Sequence, residues 1–203
     1  MEFSLQQDIR WDHQVIFDLV REGASVLDLG CGNGELLKKL IEQKNVWGMG
    51  VERNMERVVG CIENGVPVYH ADLDHGLPQL PDQFFDYVIL EKTLQAVASP
   101  MGLLDEMLRL GKTGIISFPN FGYKEVVKSF VQSQRMPRTK ALPYNWYDTP
   151  NIHLFTARDF LDLVEEKNIK IEIGVSWIRG KVVPFKEEES GEAEEILFMI
   201  SRR

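Results

Sequence analysis

Apolar positions along the chain alternate between two periods. Continuous apolar runs fall at 25–30, 46–52, 66–71, 84–90 and 113–118, whereas 34–43, 54–64 and 101–110 repeat apolar residues every three or four positions. Runs of the first kind predict buried strands, and those of the second predict helices that pack by one face. Leu5, Ile9, Val15, Ile16, Leu19 and Val20 predict a further helix over 5–22, lying over a sheet edge. Toward the other end, Thr156 is placed to N-cap a helix over 157–167, with Asp159 at its third position; strands near 169–177 and 194–201 follow. Segments 72–82 and 135–151, the second with Pro137, Pro143 and Pro150 among aromatics, read as loops, as does the glutamate-rich 187–195. Such alternation predicts an α/β chain with an open, mostly parallel seven-stranded sheet, right-handed crossovers and a ligand site at the strands' carboxyl ends. Residues 1–203 are expected to form one domain, and no repeat or low-complexity segment interrupts them.

The densest chemical signal lies in "VLDLGCGNGELLKKL", residues 26–40. Gly30, Gly32 and Gly34 sit between an apolar strand and a helical repeat, where they permit positive φ and close ligand approach beside free N–H groups at a helix start. A dinucleotide turn reads G-x-G-x-x-G, so that pyrophosphate meets the helix. Here the spacing is G-x-G-x-G, and Asp28 precedes it. A carboxylate there repels phosphate and accepts hydrogen bonds from an ammonium group. Glu52 ends the next strand, where a ribose diol is held in related folds. Asp72 ends the third and suits an exocyclic amine, with Leu73 beside it to pack on a ring. The ligand implied is cationic at one end, with a sugar and a base at the other; S-adenosylmethionine has that form. The candidate cofactor-binding residues are Asp28, Gly30, Cys31, Gly32, Asn33, Gly34, Glu52, Arg53, Asp72, Leu73 and Leu90.

A net charge of −8 over 203 residues argues against a nucleic-acid-binding face. The charge is uneven: 124–140 carries Lys124, Lys128, Arg135, Arg138 and Lys140 against Glu125 alone. Two cysteines, Cys31 and Cys61, make no disulfide framework or zinc pattern. No apolar run approaches bilayer length, and Glu2, Asp8 and Asp12 do not suit a signal peptide, so a cytoplasmic location is expected. For catalysis the candidates are Glu91, just beyond the fourth strand, and His153; Asn120, Tyr144, Trp146 and Tyr147 are candidates to line a substrate pocket. Each also has a structural reading, as a strand-end acid, a loop-orienting histidine or core-packed loop aromatics. No metal-ligand cluster and no nucleophile–base pair stands out.

"LDLGCGNG", "GVERN", "ADLDHGLPQLPDQFFDYVIL" and "GIISFPNFG" resemble the successive motifs of class I S-adenosylmethionine-dependent methyltransferases. More narrowly, "DLDHGL", "FDYVILEKTLQAV", "SFPNFGYKEVV" and "NIHLFTARDF" resemble the MetW family of methionine-biosynthesis proteins, from about Asp8 to the C-terminus. The resemblance implies a three-layer Rossmann-like fold with its last strand antiparallel. It also implies S-adenosylmethionine or S-adenosylhomocysteine as cofactor, and homoserine O-acetyltransferase as partner. An accessory or regulatory role and a small-molecule methyltransferase are the two functions to be separated.

Overall fold

A computed structural model describes residues 10–203. One eight-stranded sheet runs through them in the order β3-β2-β1-β4-β5-β8-β6-β7. Its first half comprises β1 (Ser25–Leu29), β2 (Trp47–Glu52), β3 (Val68–His70), β4 (Phe85–Glu91) and β5 (Gly111–Pro119), all paired in parallel. β8 (Glu195–Arg202) lies antiparallel between β5 and β6 (Ile169–Ile178). The helices are α1 (Trp11–Leu19), α2 (Glu35–Lys44), α3 (Met55–Glu63), α4 (Pro100–Leu110), α5 (Lys124–Ser133) and α6 (Ala157–Glu166).

Successive side chains of each central strand enter opposite cores, which is why the strands read as continuous apolar runs. Val26, Ile89, Ile115 and Leu197 pack with α1 and α2 on one face; Leu27, Leu90, Ile116 and Phe198 pack with α4 and α6 on the other. Three layers result. On the second face Phe160 stacks on Phe198 with ring centroids 5.4 Å apart. Thr156 and Asp159 form the reciprocal cap expected at the start of α6.

Four expectations need correction. The sheet has eight strands, not seven: Arg179 and Gly180, both at positive φ, turn the chain into β7 (Lys181–Pro184), a four-residue edge strand too short for its alternation to register. The first helix is confined to Trp11–Leu19 among the described residues, with Leu5 and Ile9 outside them. It covers a face rather than an edge: Val15 and Ile16 are fully buried, and Trp11 stacks on Trp177 at 5.5 Å. Segment 124–133, read only as basic, is the helix α5. The glutamate-rich run contains a 3-10 helix over Glu187–Glu192, whose Ser190 carbonyl accepts from Asn120. No helix among the described residues is long and apolar enough to cross a membrane.

Candidate functional site

β2 and β3 lead away from β1 on one side, and β4 and β5 on the other, so the connections diverge at the carboxyl end of β1. A cleft opens at such a reversal in doubly wound sheets. Here it encloses about 890 Å³, lined among others by Asp28, Gly30, Cys31, Gly32, Asn33, Glu52, Arg53, Asp72 and Leu73. Nine of the eleven candidate residues thus converge. Leu90 does not: it is fully buried in the core beneath the cleft, because β4 alternates and Leu90 points away from the ligand face. Gly34 is also absent from the lining; it has φ of 78°, and a Cβ there would meet Val66 and Cys61 at 3.1–3.2 Å.

The turn is built for a close ligand. Gly32 has φ of 57° and nothing within 4 Å of the place a Cβ would take, so open cleft rather than protein faces it. Gly30 instead accommodates Thr93, whose Oγ1 would lie 2.6 Å from an added Cβ. Glu52, buried at 7% exposure, holds the turn from below. Its Oε2 accepts from Gly32 N at 3.1 Å, and its Oε1 accepts from Arg53 N and Asn54 N at 2.8 and 2.7 Å. Cys61 adds a second tie by donating to the Gly32 carbonyl at 3.1 Å. Cys31 Sγ stands 3.7 Å from Cys61 Sγ, and burial pushes the Cys31 thiol up, so it stays protonated.

Asp28 is the electrostatic focus. Its Oδ1 is buried without a hydrogen-bond partner. Burial, then the charges of Glu91 and Glu52, push its carboxyl well above the usual range, and Arg10 only partly opposes them. An unpartnered acceptor beside two further carboxylates is suited to a cationic donor such as an ammonium group. Farther along, Asp72 accepts from Asp74 N at 3.1 Å, and this bond first, then Arg53, holds its carboxyl low. Leu73 packs against the core with its side chain only partly covered. The cleft therefore gathers three acids, Asp28, Glu52 and Asp72, the last beside the apolar Leu73.

Several wall residues escaped sequence reading. Arg10 and His13 reach the cleft from the start of α1 and engage Glu91: Arg10 pairs with it, and His13 Nε2 lies 2.9 Å from its Oε2. Lys92 clamps the same helix start, 3.2 Å from the fully buried Asp12 and 2.8 Å from Glu195. Gln95 and Thr93, beyond β4, also line the cleft. No local spacing links these residues; α1 brings them together by packing across the sheet.

The substrate-pocket candidates separate. Tyr144 lines the cleft, whereas Trp146 and Tyr147 stand in solvent at 75% and 70% exposure. Asn120 is a structural pin: its Nδ2 donates to Ser190 O and Ala193 O at 2.8 and 2.9 Å, and its Oδ1 accepts from Gly122 N and Ala157 N. His153 is held by its backbone N–H on the Gln95 carbonyl at 3.0 Å and is not among the cleft-lining residues. Glu91 lines the cleft, where its Oε1 pairs with Arg10 and its Oε2 faces His13. Asp12, His13 and Glu91 could group their ligand atoms within 4.8 Å, but Arg10 and Lys92 already neutralise that cluster.

Three-layer architecture and a glycine turn flanked by strand-end acids define the class: the Rossmann-like fold of S-adenosylmethionine-dependent methyltransferases. A methyltransferase of that kind from Thermotoga maritima superposes with a TM-score of 0.70 at 19% identity, covering 95% of this chain and 87% of that one. Within the class, this chain belongs to the MetW family, described as methionine biosynthesis protein MetW, whose model matches residues 10–198. A bifunctional methionine biosynthesis protein MetXA/MetW of Rhodopirellula baltica is 41% identical over 82% of this chain, which spans 28% of that protein's length. A demethylmenaquinone methyltransferase of Shouchella clausii is 32% identical over 55% of this chain and 51% of its own.

Proposed function

We propose that this chain binds S-adenosylmethionine or S-adenosylhomocysteine and serves methionine biosynthesis as an accessory partner of homoserine O-acetyltransferase. Residues 1–203 act as one cofactor-binding domain in this reading. The observation that carries it is the Rhodopirellula baltica protein, in which MetXA and MetW share one polypeptide. Covalent linkage raises the effective concentration of two modules, which matters when they act together.

The site supports the cofactor. Asp28 Oδ1, buried and unpartnered, is placed to accept from the amino-acid ammonium, while Gly32 leaves room for backbone approach. Glu52 ends β2 where the ribose hydroxyls belong, and Asp72 with Leu73 faces the cleft where the base belongs. When bound, the cofactor supplies an electrophilic methyl group, but with Glu91 bonded to both Arg10 and His13, general-base chemistry is not needed to account for these residues. S-adenosylmethionine is made from methionine, so its binding reports product abundance, provided that the partner distinguishes loaded from empty chain. The similarity to demethylmenaquinone methyltransferases favours a second reading, a small-molecule methyltransferase.

Acetyltransferase turnover measured with and without this protein, across a cofactor titration, tests both. Turnover that changes with the protein and with cofactor concentration supports the sensor role. Turnover indifferent to the protein ends the partner role; indifference to the cofactor alone ends the sensor. A methylated small-molecule product points to the second reading.

A further inference from the structure

Residues 124–154 leave in water the kind of surface that the rest of the chain buries. α5 buries only Val126, and its other apolar residues, Val127, Phe130 and Val131, are 47%, 50% and 70% exposed. Isolated helices of ten residues are marginal in water, so α5 gains from cover that the described residues do not supply. In the following loop Trp146 and Tyr147 pack edge to face, 5.6 Å between centroids, with both rings in solvent. Nine of the sixteen large exposed apolar residues among those described fall within these 31 positions. Exposed Trp and Tyr bring large contact area at low entropy cost, which is why they anchor interfaces.

Charge selects the occupant. Lys128, Arg135 and Lys140 have no carboxylate partner among the described residues, although the chain as a whole carries −8. A two-fold contact with a second copy sets this basic stretch against itself. A partner whose apolar face is rimmed by carboxylates neutralises it. One side of a standard protein interface takes roughly 20–30 residues, close to the length of this stretch. The same stretch forms one wall of the cleft through Lys140, Pro143, Tyr144 and Ile152. A ligand in the cleft and a partner on the outer surface would therefore touch the same segment.

We infer that residues 124–154 are the docking face for the acetyltransferase, received by an apolar patch edged with Asp and Glu; this rests on the partner reading above. The test is titration of the full chain against homoserine O-acetyltransferase, using wild type, Trp146→Ala/Tyr147→Ala and Lys128→Glu/Arg135→Glu. All four positions are exposed, and thermal melts check that the variants remain folded. Each double variant is expected to weaken binding roughly tenfold or more, and the charge reversal to flatten its salt dependence. Equal binding by all three proteins overturns this face while the partner reading stands. No binding by wild type overturns both. A wild-type dimer in sedimentation that Trp146→Ala/Tyr147→Ala dissociates, with acetyltransferase affinity unchanged, assigns the face to self-association and overturns the inference.

Discussion

Replacing Asp28 with Asn removes a group whose charged form the fold disfavours. The carboxyl is 3% exposed, its Oδ1 has no partner, and Glu91 and Glu52 add repulsion to burial. The folded chain therefore binds the Asp28 proton more tightly than the unfolded chain does. Stability then falls as pH rises from the ordinary carboxylate range through the raised value, because ionisation favours the unfolded state. Asn cannot ionise, so Asp28→Asn and wild type are expected to melt alike at low pH and to diverge above it, with the variant more stable. An unpaired buried group costs on the order of 1–3 kcal/mol, and each kcal/mol is about 2–4 °C of Tm in a chain of this size. Ligand binding should move oppositely. Loss of a charged acceptor for an ammonium group costs about 1.5–3 kcal/mol, a weakening of roughly 10–150-fold. A cationic ligand also draws Asp28 into its ionised form, so wild type releases a proton on binding. Calorimetry in buffers of different ionisation enthalpy reads that release directly. Melting curves across pH and titrations with S-adenosylmethionine complete the assay. A Tm difference that does not change with pH, or identical affinities, refutes the account of Asp28 as a carboxylate awaiting a cation.

Glu52→Ala should weaken S-adenosylhomocysteine binding roughly tenfold or more and also lower Tm, since Gly32, Arg53 and Asn54 lose their acceptor. Calorimetry with a ribose-deoxy analogue separates the two effects: an equal loss for both ligands means that Glu52 only holds the turn. Lys92→Met should destabilise by up to roughly 3–5 kcal/mol in chemical denaturation, because buried Glu195 loses its cation and buried Asp12 keeps only Arg10. Burial opposes the charged form of Asp12, but Lys92 and Arg10 outweigh it and hold the carboxyl low. Its stabilising contribution is therefore present above the usual carboxylate range and lost as pH falls through the lowered value. The Lys92→Met deficit should shrink in acid; a deficit independent of pH removes Asp12 from the explanation.

The strands and helices around the glycine turn were legible because each obeys a local rule. Apolar runs met two buried faces, the glycines met a strand-to-helix turn, and Thr156 with Asp159 met a helix start. The acids of the site were legible for the same reason: each lies at or near the carboxyl end of a strand, and parallel strands present those ends together. Leu90 was misplaced because periodicity within a fully apolar strand does not say which core a side chain enters. β7 was missed because four residues carry too little alternation, although Arg179-Gly180 marked the turn.

Tertiary structure alone decided the rest. Arg10 and His13 reach Glu91 across some eighty positions of sequence, Lys92 reaches Glu195, and Cys61 reaches the Gly32 carbonyl. Asn120 and Trp146 looked alike as pocket candidates, yet one is a buried pin and the other a solvent-facing ring. Periodicity and capping are read from neighbours three or four residues apart. Whether a polar side chain faces ligand, protein or water depends on which distant elements pack around it, and no local pattern contains that.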